Sequence, residues 1–228
     1  MPAMDADPAR PAGKTILIVD DHPVLRRGLA ALIESEPDLA VQGAVATRQA
    51  ALAALRANQP DLVMVDLILA DDDGLDLIKE IRARHPQVPS LVLSMHDESA
   101  YAERALSAGA RGYVAKQQLD DTVLIAIRRV LAGGTYMSDT LERRLAEKYV
   151  GGRTLQTGSF LDTLSDRELQ VFRLIGEGRT TRQIAQAFSR SVKTIESHRE
   201  HIKNKLALGS ATELARRAAR WVETGHAG

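Results

Sequence analysis

The sequence predicts an α/β protein, a parallel sheet covered on both faces by helices, followed by a smaller all-α unit. Short apolar runs alternate with stretches of helical periodicity as far as Leu131, and from Ser165 onward apolar residues recur only at helical spacing behind repeated capping patterns. The ends of four runs add a third observation. Ile16-Leu17-Ile18-Val19 runs into Asp20-Asp21, Leu62-Val63-Met64-Val65 into Asp66, Leu91-Val92-Leu93 into Ser94, and Gly112-Tyr113-Val114-Ala115 into Lys116. In an open parallel sheet the C-terminal strand ends share one edge, where ligands bind, so three carboxylates, a hydroxyl and an ammonium are expected to converge.

The elements follow in order. After Asp21, Pro23 suits an early helical position, and Val24, Leu25, Leu29, Leu32 and Ile33 keep helical spacing. Leu39 to Val45 reads as a second strand and Arg48 to Ala57 as an Ala-rich helix closed by Pro60. The strand ending at Asp66 leads through Asp71-Asp72-Asp73-Gly74 into a helix bearing Leu75, Ile78 and Ile81, stopped before Pro86. A strand over Ser90 to Ser94, a helix over Ala100 to Ala108, a strand over Arg111 to Ala115 and a helix over Thr122 to Leu131 complete five βα units with right-handed crossovers. In the second half, Ser165-Asp166-Arg167-Glu168, Thr180-Thr181-Arg182-Gln183 and Ser210-Ala211-Thr212-Glu213 each fit the capping box. Ser191 opens a further helix, whose Val192, Ile195, Ile202 and Leu206 form an apolar stripe. Gly176 and Gly178 end the first of these helices and Gly209 separates the last two.

Composition narrows the function classes. No Cys is present, so disulfides and thiolate chemistry are excluded. No apolar stretch approaches a membrane span. The Pro/Ala-rich residues 1–13 lack an apolar h-region and read as a disordered tail rather than a signal peptide, so a cytoplasmic protein with no membrane partner is expected. Six scattered His residues make no metal cluster, and no transition metal is expected. Up to Met137 there are 14 Lys and Arg against 19 Asp and Glu; from Ser138 onward there are 16 against 11. The basic second half points to nucleic acid, although a solvated helical face accounts for charge alone.

The strand-end residues have a chemistry of their own. Asp20, Asp21 and Asp66 held close together would repel, raising at least one pKa unless a cation sits among them. Hard oxygen donors favour Mg²⁺, which keeps several waters and accepts phosphate oxygens. Lys116 then serves as a point charge toward a phosphoryl oxygen, Ser94 as a hydroxyl donor, and Asp66, alone at its strand end, as the nucleophile. Simple strand-end capping explains any one of these positions but poorly explains all four in chain order.

These residues, with Met95-His96-Asp97 after Ser94 and the run Ala108-Gly109-Ala110-Arg111-Gly112-Tyr113, resemble the receiver domain of a two-component response regulator over residues 14–134. The resemblance implies a flavodoxin-like, doubly wound five-stranded sheet in 2-1-3-4-5 order. It implies Asp66 as phosphoacceptor for a partner histidine kinase, Asp21 as direct Mg²⁺ ligand, Asp20 as its water-mediated partner and Ile68 as a backbone-carbonyl ligand. Ser94 would follow the phosphoryl group, and Tyr113 would be the aromatic whose rotation reports the switch; plain packing near a strand start is an equal alternative for Tyr113. Where such receivers carry Met-Pro shortly after the phosphorylated Asp, this chain has Ile68-Leu69-Ala70 and then three Asp, which implies slow or unusually regulated phosphorylation. His96 is placed to influence water access.

In the second half, Leu164-Ser165-Asp166-Arg167-Glu168, Ile184-Ala185, Val192-Lys193-Thr194-Ile195-Glu196-Ser197-His198 and Lys205-Leu206 resemble the LuxR-type DNA-binding domain of NarL/FixJ-family regulators, over residues 161–224. This implies a helix-turn-helix, turning through Phe188 to Arg190, whose second helix enters the major groove of double-stranded promoter DNA. Pattern alone leaves a small helical bundle with a solvated face as a competitor. Arg182, Lys193, Thr194, His198 and Lys203 are candidates for phosphate contacts. Glu196, Ser197 and Glu200 occupy outward positions where base contacts are expected. Glu can accept from cytosine N4, and Glu200 has the equal alternative of pairing with Lys203 or Asn204 on its own helix. Arg199, beside the stripe, reads as structural.

Residues 135–160 are expected to link the domains, with a short helix over Asp139 to Tyr149 and a flexible stretch from Gly151 to Ser159. The expected function is a phosphorylation-controlled transcription regulator, not an enzyme, which forms a homodimer when active and whose unmodified receiver covers the recognition helix. Two other readings are a phosphorylation-independent regulator with the receiver as a docking module, which the altered loop keeps open, and an aspartate-nucleophile phosphatase. Against the phosphatase, Ile68 stands where a general-acid Asp is needed, and no cap domain is available.

Overall fold

The computed structural model describes residues 13–69, 72–95, 98–116, 121–150, 163–188 and 190–223. The expected tail up to residue 12, Asp71, His96, Ser189 of the turn and the flexible stretch 151–159 lie outside the described residues.

β1 (Lys14–Val19), β2 (Leu39–Val45), β3 (Leu62–Asp66), β4 (Ser90–Ser94) and β5 (Gly112–Ala115) form one parallel sheet in the order β2-β1-β3-β4-β5. β3 and β4 are buried along their whole length. Helices on both faces cause this, and it is why these strands read as unbroken apolar runs rather than alternations. α1 (Pro23–Glu34) and α5 (Asp121–Leu131) lie on one face, where Leu29, Ile33, Val123 and Ile127 close over Ile16, Ile18, Met64 and Leu93. α2 (Arg48–Ala57), α3 (Gly74–Arg84) and α4 (Glu98–Ala108) lie on the other, over Leu17, Val63, Val65, Val92 and Tyr113. Thr47 accepts from the Ala50 N–H at 3.2 Å and Asp73 from the Leu75 N–H at 2.9 Å, so α2 and α3 begin where first-turn donors find side-chain partners. The bounds expected for the second strand, second helix and fourth strand coincide with the structure, while α4 begins earlier than expected, at Glu98.

At the opposite edge of the sheet, Asp61 accepts from the Thr15 N–H at 2.9 Å, the Thr15 hydroxyl at 3.0 Å and Lys14 Nζ at 2.9 Å. Burial raises its pKa, but these bonds outweigh burial and hold the carboxyl at about 2. A carboxyl held below its usual 3.8 contributes stability that is fully present above that pH and is lost as the pH falls through 2. Asp61→Asn is therefore expected to cost about 2 kcal/mol in urea unfolding at neutral pH. The gap to wild type should stay constant down to pH 3.8 and narrow below it.

Past α5 the chain does not leave the sheet at once. Tyr136 pairs with Gly112 at the edge of β5, its carbonyl accepting from the Tyr113 N–H at 3.0 Å and its N–H donating to the Arg111 carbonyl at 2.9 Å. α6 (Asp139–Val150) follows, over nearly the residues the sequence assigns to it.

The second unit comprises α7 (Asp166–Gly176), α8 (Thr181–Ala187), α9 (Val192–Lys205) and α10 (Ala211–Glu223) around Leu169, Phe172, Ile184, Ile195, Ile202 and Trp221. The Phe172 and Trp221 ring centroids lie 5.7 Å apart. Two capping boxes are reciprocal, Ser165 with Glu168 and Thr180 with Gln183. In the third, the Ser210 hydroxyl accepts from the Glu213 N–H, but the Glu213 carboxylate reaches the Gly209 N–H instead. The sequence points to Gly209 as the break after α9, yet the left-handed residue is Ala207, at φ 52°. Leu208 N–H donates to the Lys203 carbonyl and Ala207 N–H to that of Asn204, a Schellman closure that normally uses Gly. Ala207→Gly removes the Cβ strain at some cost in chain entropy, and is expected to raise stability by about 0.5 kcal/mol in chemical denaturation.

Candidate phosphoryl-acceptor site and nucleic-acid interface

The expected convergence at the carboxyl edge is present. Asp20 follows β1, Asp66 ends β3, Ser94 ends β4 and Lys116 follows β5, and all four are buried. Lys116 Nζ lies 2.7 Å from both Asp66 Oδ2 and Asp20 Oδ2. Asp66 Oδ1 accepts from the Ile68 N–H at 3.2 Å. Burial pushes the Asp66 carboxyl up to about 6; Lys116 opposes the rise and Asp20 adds to it. Ser94 stands in register with Ala115, and Tyr113 opposite Val92 with its ring buried on the α4 side of the sheet.

His22 joins this group although its only sequence signal is adjacency to Asp21. Its Nδ1 lies 2.9 Å from Asp21 Oδ1, 3.2 Å from Asp20 Oδ1 and 3.8 Å from Asp66 Oδ2. Ligand atoms of Asp20, Asp21, His22 and Asp66 all lie within 4.8 Å of one another, so one of the six His residues stands in an acidic cluster after all. Asp20 Oδ2 and Asp21 Oδ1 are buried oxygens without an aligned hydrogen bond. Three clustered carboxylates, two with such an oxygen, and no thiolate are a donor set that suits a hard divalent cation.

The described residues on either side of Ala70 and Asp71 lie close together although this stretch departs from the receiver pattern. Ile68 and Asp73 form an antiparallel bridge, Gly74 N–H donates to the Leu67 carbonyl at 3.0 Å, and Leu69 is buried. A Cβ on Gly74 would lie 2.1 Å from the Asp66 carbonyl oxygen, so glycine alone permits this return. Burial, and then Asp166, push the Asp73 carboxyl up to about 7.

On α9, Ile195 and Ile202 are buried while Lys193, Glu196, Ser197 and Glu200 are exposed. Arg182 is exposed on the neighbouring α8. Glu200 pairs with the half-buried Lys203 at 2.8 Å. The Thr194 hydroxyl is bonded to Ser191 Oγ at 2.8 Å, completing the helix cap. His198 is half-buried, and burial together with Arg167 holds its pKa below the usual value. Burial likewise lowers that of Arg199, in keeping with a structural role. A pair that local pattern reading misses fixes α9 on α7: the buried Glu168 accepts from the Ser165 N–H at 2.7 Å and from Nζ of the exposed Lys205 at 2.6 Å.

The two units meet through the start of α7. Asp166 pairs with Arg104 at 2.7 Å and Lys79 at 3.4 Å, and Arg104 donates to the Leu164 carbonyl at 3.1 Å. The expectation that the receiver covers the recognition helix is therefore corrected, since the outer residues of α9 stay exposed.

A doubly wound sheet with an acidic edge and a Lys-gripped Asp, joined to a helix-turn-helix unit, defines a DNA-binding response regulator. The family model for the response regulator receiver domain matches residues 16–128, and that for bacterial regulatory proteins of the luxR family matches residues 162–218. The chain is 34% identical over 203 residues to the oxygen regulatory protein NreC of Staphylococcus aureus, across 87% of this chain and 94% of that protein. Among solved structures, RcsB from Salmonella enterica serovar Typhimurium, bound to promoter rprA in the presence of phosphomimetic BeF3−, has a TM-score of 0.59 at 26% identity, across 91% of this chain and 98% of that one. A LuxR-family two-component response regulator from Aurantimonas sp. has a TM-score of 0.56 at 36% identity, across 60% of this chain and 99% of that one. The chain belongs to the NarL/FixJ family of two-component response regulators, with a receiver domain followed by a LuxR-type DNA-binding domain. Among the described residues no helix is long and apolar enough to cross a membrane.

Proposed function

We propose that this protein is a cytoplasmic, non-enzymatic transcription regulator that accepts a phosphoryl group on Asp66 from a partner histidine kinase. The observation that carries the reading is the buried Asp66 carboxylate, bonded to Lys116 beside two further carboxylates with incompletely satisfied oxygens. Asp20, Asp21, Asp66 and the Ile68 carbonyl would hold Mg²⁺, which supplies positive charge to the oxygens of the incoming group. An Asp66 oxygen forms the new bond to phosphorus as the kinase's phosphohistidine N–P bond breaks. Lys116 orients Asp66 and then faces a phosphoryl oxygen, and Ser94 donates its hydroxyl to another. Tyr113 moves with Ser94. The receiver spans residues 14–134, the link 135–160 and the DNA-binding domain 161–224.

α9 reads the major groove. Lys193, Lys203 and Arg182 contact phosphates, Thr194 serves mainly through its cap and His198 through a neutral ring. Ser197 and Glu196 face base edges. Lys203 occupies Glu200, which leaves Glu196 as the acid available to accept from cytosine N4. Because the outer face of α9 is exposed before modification, phosphorylation acts by bringing two DNA-binding domains into register as a homodimer on double-stranded DNA, rather than by uncovering a helix.

Selection from a random duplex library with the full chain tests this. Wild type is expected to enrich a motif of paired half-sites, more strongly with acetyl phosphate present. Glu196→Gln should lose about 1–3 kcal/mol of discrimination at one C·G pair per half-site, and Glu200→Gln should keep the motif. Enrichment indifferent to acetyl phosphate would favour a docking receiver instead.

A further inference from the structure

We infer that Glu98 is a positioning residue that ties the segment between the two domains to the first turn of α4, so that movement at Ser94 is passed to the DNA-binding domain through this tie. The inference rests on the reading of Asp66 as phosphoacceptor.

Glu98 opens α4, which begins four residues after Ser94, the last residue of β4. One carboxylate oxygen accepts from the Ser138 N–H at 3.0 Å and the other from the Ser138 hydroxyl. Ser138 Oγ in turn accepts from the Leu141 N–H at 3.2 Å, so Ser138 caps α6 and Glu98 holds the cap. One negative charge thus serves the N-terminal ends of two helices, each of which favours an anion. Leu141 is buried in the same cluster as Tyr101 and Tyr113. Just before Ser138, Tyr136 takes up the N–H of Tyr113 itself, and Gly112 makes room for it, since a Cβ there would lie 2.9 Å from the Tyr136 carbonyl oxygen. Residues 136–141 are therefore strapped both to β5 at Tyr113 and to the element that follows Ser94.

Charge-assisted bonds of this kind depend on alignment. When a phosphoryl group on Asp66 draws the Ser94 hydroxyl toward it, the nearby first turn of α4 shifts with the end of β4, and Glu98 loses its geometry on Ser138. The strap loosens, α6 is released from the receiver and the DNA-binding domain gains the freedom to pair.

Hydrogen exchange of the full chain, followed at residues 134–142 with and without acetyl phosphate and Mg²⁺, tests the tie. Wild-type exchange there is expected to rise about tenfold with the adduct, the protection that one charge-assisted hydrogen bond supplies. Glu98→Ala should show that rise without acetyl phosphate while still taking the adduct by intact mass. Glu98→Gln, which keeps one acceptor, should fall between, and it carries the test if Glu98→Ala exchanges throughout the sheet. Unchanged exchange in the folded Glu98 variants overturns the tie, as does unchanged exchange in wild type that carries the adduct. A wild type that takes no adduct overturns the reading of Asp66, and the variants still decide the tie.

Discussion

Lys116→Ala is expected to cost about 3–5 kcal/mol of stability in metal-free protein at neutral pH, because it strips a buried ammonium from two buried carboxylates and leaves their charge without that partner. Lys116 is within 2.7 Å of both Asp20 and Asp66, and its side chain is almost fully enclosed. What is lost is chiefly the compensation of buried charge, so a second cation should restore part of it. Urea unfolding followed by circular dichroism, in EDTA and in millimolar Mg²⁺, reads both effects. The variant is expected to gain more from Mg²⁺ than wild type does. Equal stability of the two proteins in EDTA would show that the carboxylates are neutralised in some other way.

Gly74→Ala is the second large effect. Helix propensity alone favours Ala over Gly by about 1 kcal/mol, so the bare helix would be stabilised. The added Cβ would meet the Asp66 carbonyl oxygen at 2.1 Å and Leu67 Cα at 2.8 Å, and both belong to backbone leaving the buried end of β3. Overpacking against backbone is expected to win, costing about 3 kcal/mol and displacing the Asp66 carboxylate. Thermal unfolding gives the sign, and the rate of adduct formation from acetyl phosphate reports the displacement. A stabilised variant would mean that the loop after Asp66 yields easily.

Much of the fold is legible in the sequence because it is written in repeated local patterns. Strands buried on both faces appear as apolar runs, and a polar residue at the end of each run marks the shared edge. That pattern alone brings Asp20, Asp66, Ser94 and Lys116 to one edge. What was not legible depends on single pairings between distant polar residues, which leave no periodicity. Glu98 and Ser138 stand 40 residues apart with no pattern that links them, and Glu168 reads as a local cap rather than the partner of Lys205. His22 has no spacing of its own that signals a cluster. Ala207 defeats residue preference outright, taking the left-handed turn two positions before an available Gly209. The exposure of α9 depends on how the first turn of α7 meets Arg104 and Lys79, a relation between domains that no local pattern encodes.

Phosphorylation of Asp66 is the claim on which the rest depends, and intact mass spectrometry tests it most directly. Wild type and Asp66→Asn are incubated with acetyl phosphate and Mg²⁺, alongside an EDTA control. A single phosphoryl adduct on wild type, absent from Asp66→Asn and from the EDTA sample, is the predicted result. No adduct on folded wild type that binds Mg²⁺, or an equal adduct on Asp66→Asn, would contradict it.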